Sequence, residues 1–499
     1  MRQTIIQRRR RPFNRCRLTK SLHFLFFSFV FVVASIWPTA AWSQRAPVSP
    51  DVPWQPDLNL ARKDIPAVPG HEADLNPNDV YTLGQLIDIA ESNNPATRAA
   101  WNRAKVSAAA VGIAKSELYP TVIATAAGKT FLNPPLLFQS FVVQDIGLFE
   151  TAVHLDYTLL DFGARRTEIT AAQARLVAAN LNFNNQHLML IEQVSQAYYR
   201  LLNAIGLRQA AQVSLNDAQL LQAAAQDRRN NGLATVPEVL EARAATAKAN
   251  YLLQSTIGEE QVAFGDLAKV ITASPVRHFN VQNLDKLHIP DALGQSVDDA
   301  IARAYQLRPD LQSEEAKLRS AQAEVKHAYT AYYPTIQFEG AKGWLRAFGE
   351  QPPFVGTYAH TPTYEATLSL RWTIFDGFRR ESRIAEAKAE AEAAKDEIHD
   401  RQDEISDQVW SAYTNAETAL QQRQAATSLL AAENESYSSS LESYKDGVRN
   451  ILDVLSAEDE LARARAADVT ARTQVLQTFT ALAFGTGELL TNHQKGNHP

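Results

Sequence analysis

TYEATLSLRWTIFDGFRR, residues 363–380, decides the fold. Tyr364, Ala366, Leu368, Leu370 and Trp372 alternate with mostly polar residues, the period of a strand with one apolar face. Asp376-Gly377 follows, and the period changes. Ile384, Ala387, Ala391, Ala394 and Ile398 step by three and four, and Ile405, Val409, Ala412, Ala416 and Ala419 continue the stripe. Neither proline nor glycine interrupts the chain between Phe378 and Gly447. The pattern predicts a helix of roughly 68 residues, about 100 Å long at 1.5 Å per residue. A compact domain has no room for such a rod. Its step of about 3.5 residues and its small alanine seam indicate a coiled coil.

The stretch has a twin. LDYTLLDFGARRTEITAAQARLVAA (155–179) reads against LRWTIFDGFRRESRIAEAKAEAEAA (370–394), pairing Asp161 with Asp376 at an offset of 215. Tyr198 pairs with Tyr413 and Gly232 with Gly447 at the same offset. Tyr119-Pro120 pairs with Tyr333-Pro334, and Asn94-Pro95 with Arg308-Pro309, at 214. Five landmarks held at an offset of 214 or 215 mark a tandem duplication, one structural unit built twice.

The chain has 499 residues and a formal charge of −6. Residues 1–43 read as a secretory signal peptide: eight Lys or Arg and no acid before residue 21, an apolar run from Leu22 to Trp37, and small residues before Gln44. Its removal takes the eight cations and the single cysteine, leaving about −14. An acidic chain without a basic patch argues against nucleic acid. No later segment has 18 consecutive apolar residues, so the mature chain has no membrane-spanning helix. Residues 44–79 are proline-rich and aperiodic, and read as an extended arm.

Repeat 1 (80–275) and repeat 2 (297–490) then run in one order, joined by a linker (276–296) and followed by a tail (491–499). A short helix (83–92; 297–306) ends at the Asn-Pro or Arg-Pro step, and a second (96–118; 310–332) ends at the Tyr-Pro step, because proline forbids continuation. A strand follows (about 119–131; 333–345), then a Pro-Pro loop and a return strand (about 150–160; 364–375). Asp161 and Asp376 stand at the N-cap position of the long helices (about 163–231; 378–446). A glycine turn leads to a last helix (about 238–271; 451–484). The two shorter helical stretches of each repeat add up to the length of the long one, so they stack end to end beside it. That puts strands at one end and the glycine turns at the other, about 100 Å away.

Strands of about 11 residues cross an outer membrane when tilted. Four strands in lipid leave two unpaired edges, each open backbone group costing several kcal/mol. Other chains must close the sheet. Two chains make eight strands with a filled interior; three make twelve with a lumen.

The chain has no HExxH, GxSxG, GxGxxG or P-loop. His399 with Asp400, Asp403 and Glu404 reads as a solvated helix face. No nucleophile, acid–base pair, metal site or cofactor site stands out, which speaks against an enzyme. The informative polar residues flank the turns, RRNNGLATVPEVLEAR (228–243) and YKDGVRNILDVLSAED (444–459). Gly232 and Gly447 cap long helices in the left-handed conformation. In an oligomer the turns converge, bringing Arg449, Glu238 and Asp453 together around an axis, where charges tie a tube shut or select what enters.

From Val80 to Leu490 the chain resembles the TolC-type outer-membrane factor (outer-membrane efflux protein) family. The resemblance rests on the duplicated order, the Asn-Pro and Tyr-Pro steps, the junction TIFDGFRR and the two turns. It implies a homotrimer, with a 12-stranded transmembrane β-barrel in the outer membrane on a long periplasmic α-helical coiled-coil barrel. It implies the exit duct of a tripartite efflux or type I secretion system, working with a periplasmic adaptor (membrane fusion) protein and an inner-membrane pump, amid outer-membrane lipid. Tyr444, Arg449 and Glu238 match the family's periplasmic gate, and Asp453 matches one ring of aspartates; the second ring falls at Ser456. Gly232-Leu233 and Gly447-Val448 match the turns that dock the adaptor. The alternative is a structural envelope-spanning coiled-coil protein without transport, which has no need of membrane-length strands.

Overall fold

The computed structural model describes residue 73 and residues 75–133, 136–137, 140–141, 144–349 and 358–489. The expected signal peptide (1–43), most of the arm (44–79) and the tail (491–499) lie outside the described residues. The first repeat contributes α1 (Leu83–Asn93), α2 (Pro95–Ser116), α3 (Ala164–Asn230) and α4 (Val236–Val270). The second contributes α5 (Val297–Leu307), α6 (Pro309–Thr330), α7 (Arg379–Lys445) and α8 (Ile451–Gly485). α3 and α7 each have 67 residues, about 100 Å of helix.

Local chemistry sets the helix starts. Asn94 accepts the N–H groups of Ala96 (2.7 Å) and Thr97 (3.3 Å), with Pro95 in the first turn of α2. The long helices begin differently from the expected aspartate N-caps. Their N-caps are Gly163 and Phe378, both left-handed (φ 98° and 64°). Asp161 stands two residues earlier and still does a cap's work, accepting the N–H of Gly163 (3.1 Å), the N–H of Arg165 (3.0 Å) and Arg165 Nε (2.6 Å). The Asp376 carboxylate lies 3.1 Å from Arg380 Nε. Two consecutive left-handed residues turn the chain at each junction, Phe162-Gly163 and Gly377-Phe378. Glycine fills one position and the other falls to phenylalanine, at a cost of about 1–2 kcal/mol. Aromatic contacts offset it: Phe162 stacks on Tyr333 at 5.2 Å, and Phe378 meets Phe375 edge-on at 5.6 Å.

α2, α1 and α4 lie along α3; α6, α5 and α8 lie along α7. α3 also packs against α6 and α8, so the repeats join side by side as four helical columns. The largest core lies mid-length, where Leu86, Leu190, Val194, Tyr198 and Leu267 are buried together. On the outer columns Trp101 and Ile113 of α2, Tyr251 and Val262 of α4, and Trp410 of α7 stay exposed in the single chain.

The sheet holds β2 (Thr121–Asn133), β5 (Gln144–Leu160), β7 (Thr335–Gly349) and β8 (Tyr358–Arg371), all antiparallel, in the order β2-β5-β7-β8. The small strands β3 (Leu136–Leu137) and β4 (Ser140–Phe141) pair beyond the first hairpin. All four main strands run further outward than side-chain alternation alone reaches, because the ladder continues to Asn133↔Gln144 and Phe348↔Tyr358. β8 ends at Arg371 because β7 starts opposite it, at Thr335. Trp372 therefore leaves the ladder and donates its indole N–H to Tyr332 O (3.1 Å). Register shifts between Thr158 and Leu160, a bulge that re-aims β5 toward α3. The first repeat meets the second inside the sheet through β5 and β7, leaving β2 and β8 as edges.

The segments between these elements carry more structure than the composition suggests. At the end of the arm, Ala73 and Leu75 are buried in the mid-length core. β1 (Val80–Tyr81) pairs in parallel with β6 (Asn280–Val281) of the inter-repeat linker. The equivalent tyrosines both reach that linker, Tyr198 to Gln282 O (3.5 Å) and Tyr413 to Gln295 O (3.1 Å).

Replacing Asp161 with alanine removes three hydrogen bonds at the strand–helix junction. The expected cost is about 2 kcal/mol, seen as a lower midpoint when helical circular dichroism is followed on heating. An unchanged midpoint would mean that the bulge and the aromatic contacts hold the junction alone.

Candidate functional site

The far end of the columns is built on two matched turns. Gly232 and Gly447 are left-handed (φ 75° and 79°). Leu233 N–H donates to Arg228 O and Val448 N–H to Ser443 O, both at 2.8 Å, while Gly232 and Gly447 N–H donate to Arg229 O and Tyr444 O. Each turn is a Schellman closure that satisfies the last carbonyls of its long helix. The residue after each glycine projects outward: Leu233 is 67% and Val448 80% exposed. Neither apolar side chain has cover within the chain.

Beneath the turns lies a separate core of Leu221, Ala225, Ala242, Tyr444, Ile451 and Val454, drawn from both repeats. Tyr444 is 2% exposed, and its hydroxyl has no hydrogen-bond partner. Burial raises its pKa, Arg228 opposes the shift and Glu238 adds to it. Arg228 is the residue that sequence reasoning passed over. Its guanidinium lies 4.7 Å from the Tyr444 ring centroid, and its Nη1 donates to Tyr444 O (3.1 Å) and Lys445 O (3.4 Å). One cation thereby ties the first turn to the last carbonyls of the second long helix. Nothing local marks it, because its partner stands 216 residues away.

The other expected gate residues are placed close by but serve their own elements. Arg449 Nη1 donates to the Oγ of buried Ser440 (2.9 Å). Glu238 Oε1 accepts from the N–H (3.1 Å) and hydroxyl (3.0 Å) of Thr235, closing the first turn of α4. Asp453 sits in the first turn of α8, where its N–H donates to Asn450 Oδ1 (3.0 Å), and its carboxylate is exposed. No hydrogen bond or ion pair joins Arg449, Glu238 and Asp453 within one chain.

One turn above Val454, Glu458 of α8 is 7% exposed, and its Oε1 has no hydrogen-bond partner. Burial, then Asp217 and Asp459, push its pKa up to about 7, against Arg465 and Lys248. Those groups come from α3, α4 and α8. Arg465 pairs with Asp217 (2.8 Å), and Lys248 with Asp459 (2.6 Å). From α7, Tyr437 faces the same acids, and burial first, then Asp217 and Glu458, push it to about 12. Glu458 therefore sits where both repeats meet.

Three comparisons bear on this architecture. The profile of the family described as "Outer membrane efflux protein" matches residues 86–255 and 300–488, once per repeat. The chain is similar to protein CyaE of Bordetella pertussis, 28% identical over 436 residues that cover 84% of this chain and 87% of that one. It is similar to outer membrane protein OprJ of Pseudomonas aeruginosa, 24% identical over 430 residues, covering 83% and 87%. Among solved structures, the Campylobacter jejuni CmeC outer membrane channel superposes with a TM-score of 0.69 at 18% identity, covering 91% of this chain and 98% of that one.

The sign of the Glu458 linkage is fixed. Its folded pKa, about 7, lies above the ordinary 4.5. It therefore adds stability that is complete below about 4.5 and is lost as pH rises through about 7. Glu458→Gln should flatten the fall in melting midpoint between pH 5 and pH 8, and should melt above wild type at pH 8. A variant with the wild-type pH profile would show that Glu458 stays ionised in the fold.

Proposed function

Because this chain belongs to the outer membrane efflux protein family and is an outer-membrane export channel, we propose that three copies close into one duct whose helical tip is both gate and docking end. The open sheet carries this reading. β2 and β8 are edges on a four-stranded sheet whose strands run 13 to 17 residues. Strands of that length span a bilayer when tilted, and an edge in lipid must pair. Joining β8 of one chain to β2 of the next buries both. The same step brings exposed Trp410 of α7 toward the exposed apolar residues of α2 and α4. Twelve strands leave a lumen, and twelve helical columns continue it into the periplasm. A structural rod without transport has no use for that lumen.

At the tip, Leu233 and Val448 supply apolar knobs on rigid turns, suited to the hairpin tips of a periplasmic adaptor. An inner-membrane pump then delivers the substrate through the adaptor. The gate is the ring of tip contacts. Arg228 and Tyr444 hold each chain's two turns together, and Arg449, Glu238 and Asp453 face the neighbouring chain and the axis. An exposed ion pair is worth only about 0–1 kcal/mol, so the ring works through threefold repetition in a narrow mouth.

Mass measurement in detergent should give three chains per particle, and a folded monomeric barrel would sink the reading. In planar bilayers, Arg449→Ser with Tyr444→Phe should raise single-channel conductance, and Asp453→Ala should weaken cation preference. Wild-type conductance and selectivity in both would place the gate elsewhere. Gly447→Glu should abolish export while the trimer stays at normal abundance in the outer membrane; normal export would remove the second turn from the docking surface.

A further inference from the structure

In the stretch that ends at the turns, α8 packs on α3, α4 and α7, and the hairpin of one repeat meets the hairpin of the other. That seam is poorly satisfied. Six buried side-chain atoms among the described residues have no hydrogen-bond partner, and four of them lie in this stretch: Ser214 Oγ and Arg228 Nε on α3, Tyr444 Oη on α7 and Glu458 Oε1 on α8. Buried polar groups are nearly always paired, so a cluster of exceptions calls for a reason. Such groups gain partners when the seam parts and water enters.

Glu458 is the one acid among the four, and it is 7% exposed. The cations around it are already committed. Arg465 of α8 pairs with Asp217 of α3 (2.8 Å), and Lys248 of α4 pairs with Asp459 of α8 (2.6 Å). From α7 comes the phenol of Tyr437. Glu458 thus faces two acids, two cations and a phenol drawn from all four helices, and its Oε1 bonds to none of them. As a neutral carboxyl it fits this place at modest cost. Ionised, it is a buried charge without a counter-ion, beside two further carboxylates, which a packed seam tolerates poorly. The packed carboxyl accordingly holds its proton up to about 7, against an ordinary 4.5.

We propose that Glu458 is a proton-operated latch on the tip: protonated, it lets the two hairpins of a chain pack together, and deprotonated, it drives them apart and opens the duct. The latch rests on the reading of the tip as the gate. Its sign follows from linkage. The packed seam binds the proton more tightly than the parted, hydrated one, so acid favours the closed tip and rising pH favours the open one. Three such groups acting on one opening steepen the response.

The test is single-channel recording of the trimer in planar bilayers, with the same pH on both sides. From pH 5.5 to pH 8 the ratio of open to closed dwell time should rise by at least about tenfold in wild type. Glu458→Gln keeps the shape and cannot ionise, so its ratio should stay low and flat. Asp217→Asn removes one repelling acid and frees Arg465 for Glu458, so the rise should level off at lower pH. A flat wild type, a wild-type rise in the glutamine variant, or an asparagine variant that levels off where wild type does, each as an intact trimer, would overturn the latch. Arg449→Ser with Tyr444→Phe separates the latch from the gate. If that variant opens at both pH values while wild type stays flat, the latch alone fails. If it conducts like wild type at pH 5.5, the tip is not the gate and the latch fails with it.

Discussion

Everything in this chain depends on the rule that a backbone N–H or C=O cannot be left unpaired in hydrocarbon. One protomer satisfies it internally for β5 and β7, which have neighbours on both sides, and fails to satisfy it for β2 and β8. The fold of a single chain is thus unfinished by construction. The duplication makes the deficit regular: each repeat supplies one hairpin, the two join at β5–β7, and the free edges sit at opposite ends of the strip. The helical columns inherit the same symmetry. α3 and α7 each run alongside stacked shorter helices, and apolar side chains such as Trp101 and Trp410 are left uncovered on the outer columns.

The long helices show why composition alone reads poorly here. α7 buries Ile405, Val409, Ala416 and Ala419 as a narrow seam while most of its other residues stay exposed. Alanine costs nothing in side-chain entropy and keeps helix propensity high. It also lets neighbouring columns approach closely. A helix walling a tube has a partner on either side and faces water inside and out. It therefore needs seams rather than a broad apolar stripe.

The sequence was legible where a single residue dictates geometry. Pro95 and Pro309 start helices, Gly232 and Gly447 end them, and the change of period at Asp161 and Asp376 marks where strand becomes helix. It was less legible where the partner is distant. The strands extend further outward because their ladder continues, which alternation in one strand cannot report. Asp161 caps from outside the N-cap position because two left-handed residues intervene, and Asp376 stands at the matching place, paired with Arg380. β1–β6 pairing and the burial of Ala73 and Leu75 lie in segments without periodicity. At the tip, the turn glycines announced themselves through φ, whereas Arg228 and Glu458 look like ordinary helix-surface residues until the repeats are brought together.

At the tip, each hairpin is closed by its own local bonds. Each turn closes its own helix with its own Schellman bonds, and Glu238 and Asn450 start the next helices locally. Neither hairpin depends on the other for its own closure. The contacts that join the two hairpins are the Arg228 bonds to Tyr444 O and Lys445 O and the cation–ring contact, with the buried acid above them. A hydrogen bond from a charged group is worth about 1.5–3 kcal/mol and a partly shielded cation–π contact about 1 kcal/mol. Three copies of such ties, in the proposed gate, would add up to a barrier on the order of 10 kcal/mol. A docking partner shifts the equilibrium only by its preference for the open tip over the closed one. Spread over three copies, that preference is a few kcal/mol per protomer, within reach of an apolar contact at each exposed Val448 and Leu233. On the proposed docking of an adaptor at the turns, rigid turns joined by breakable ties would let one interface both recognise the tip and open it.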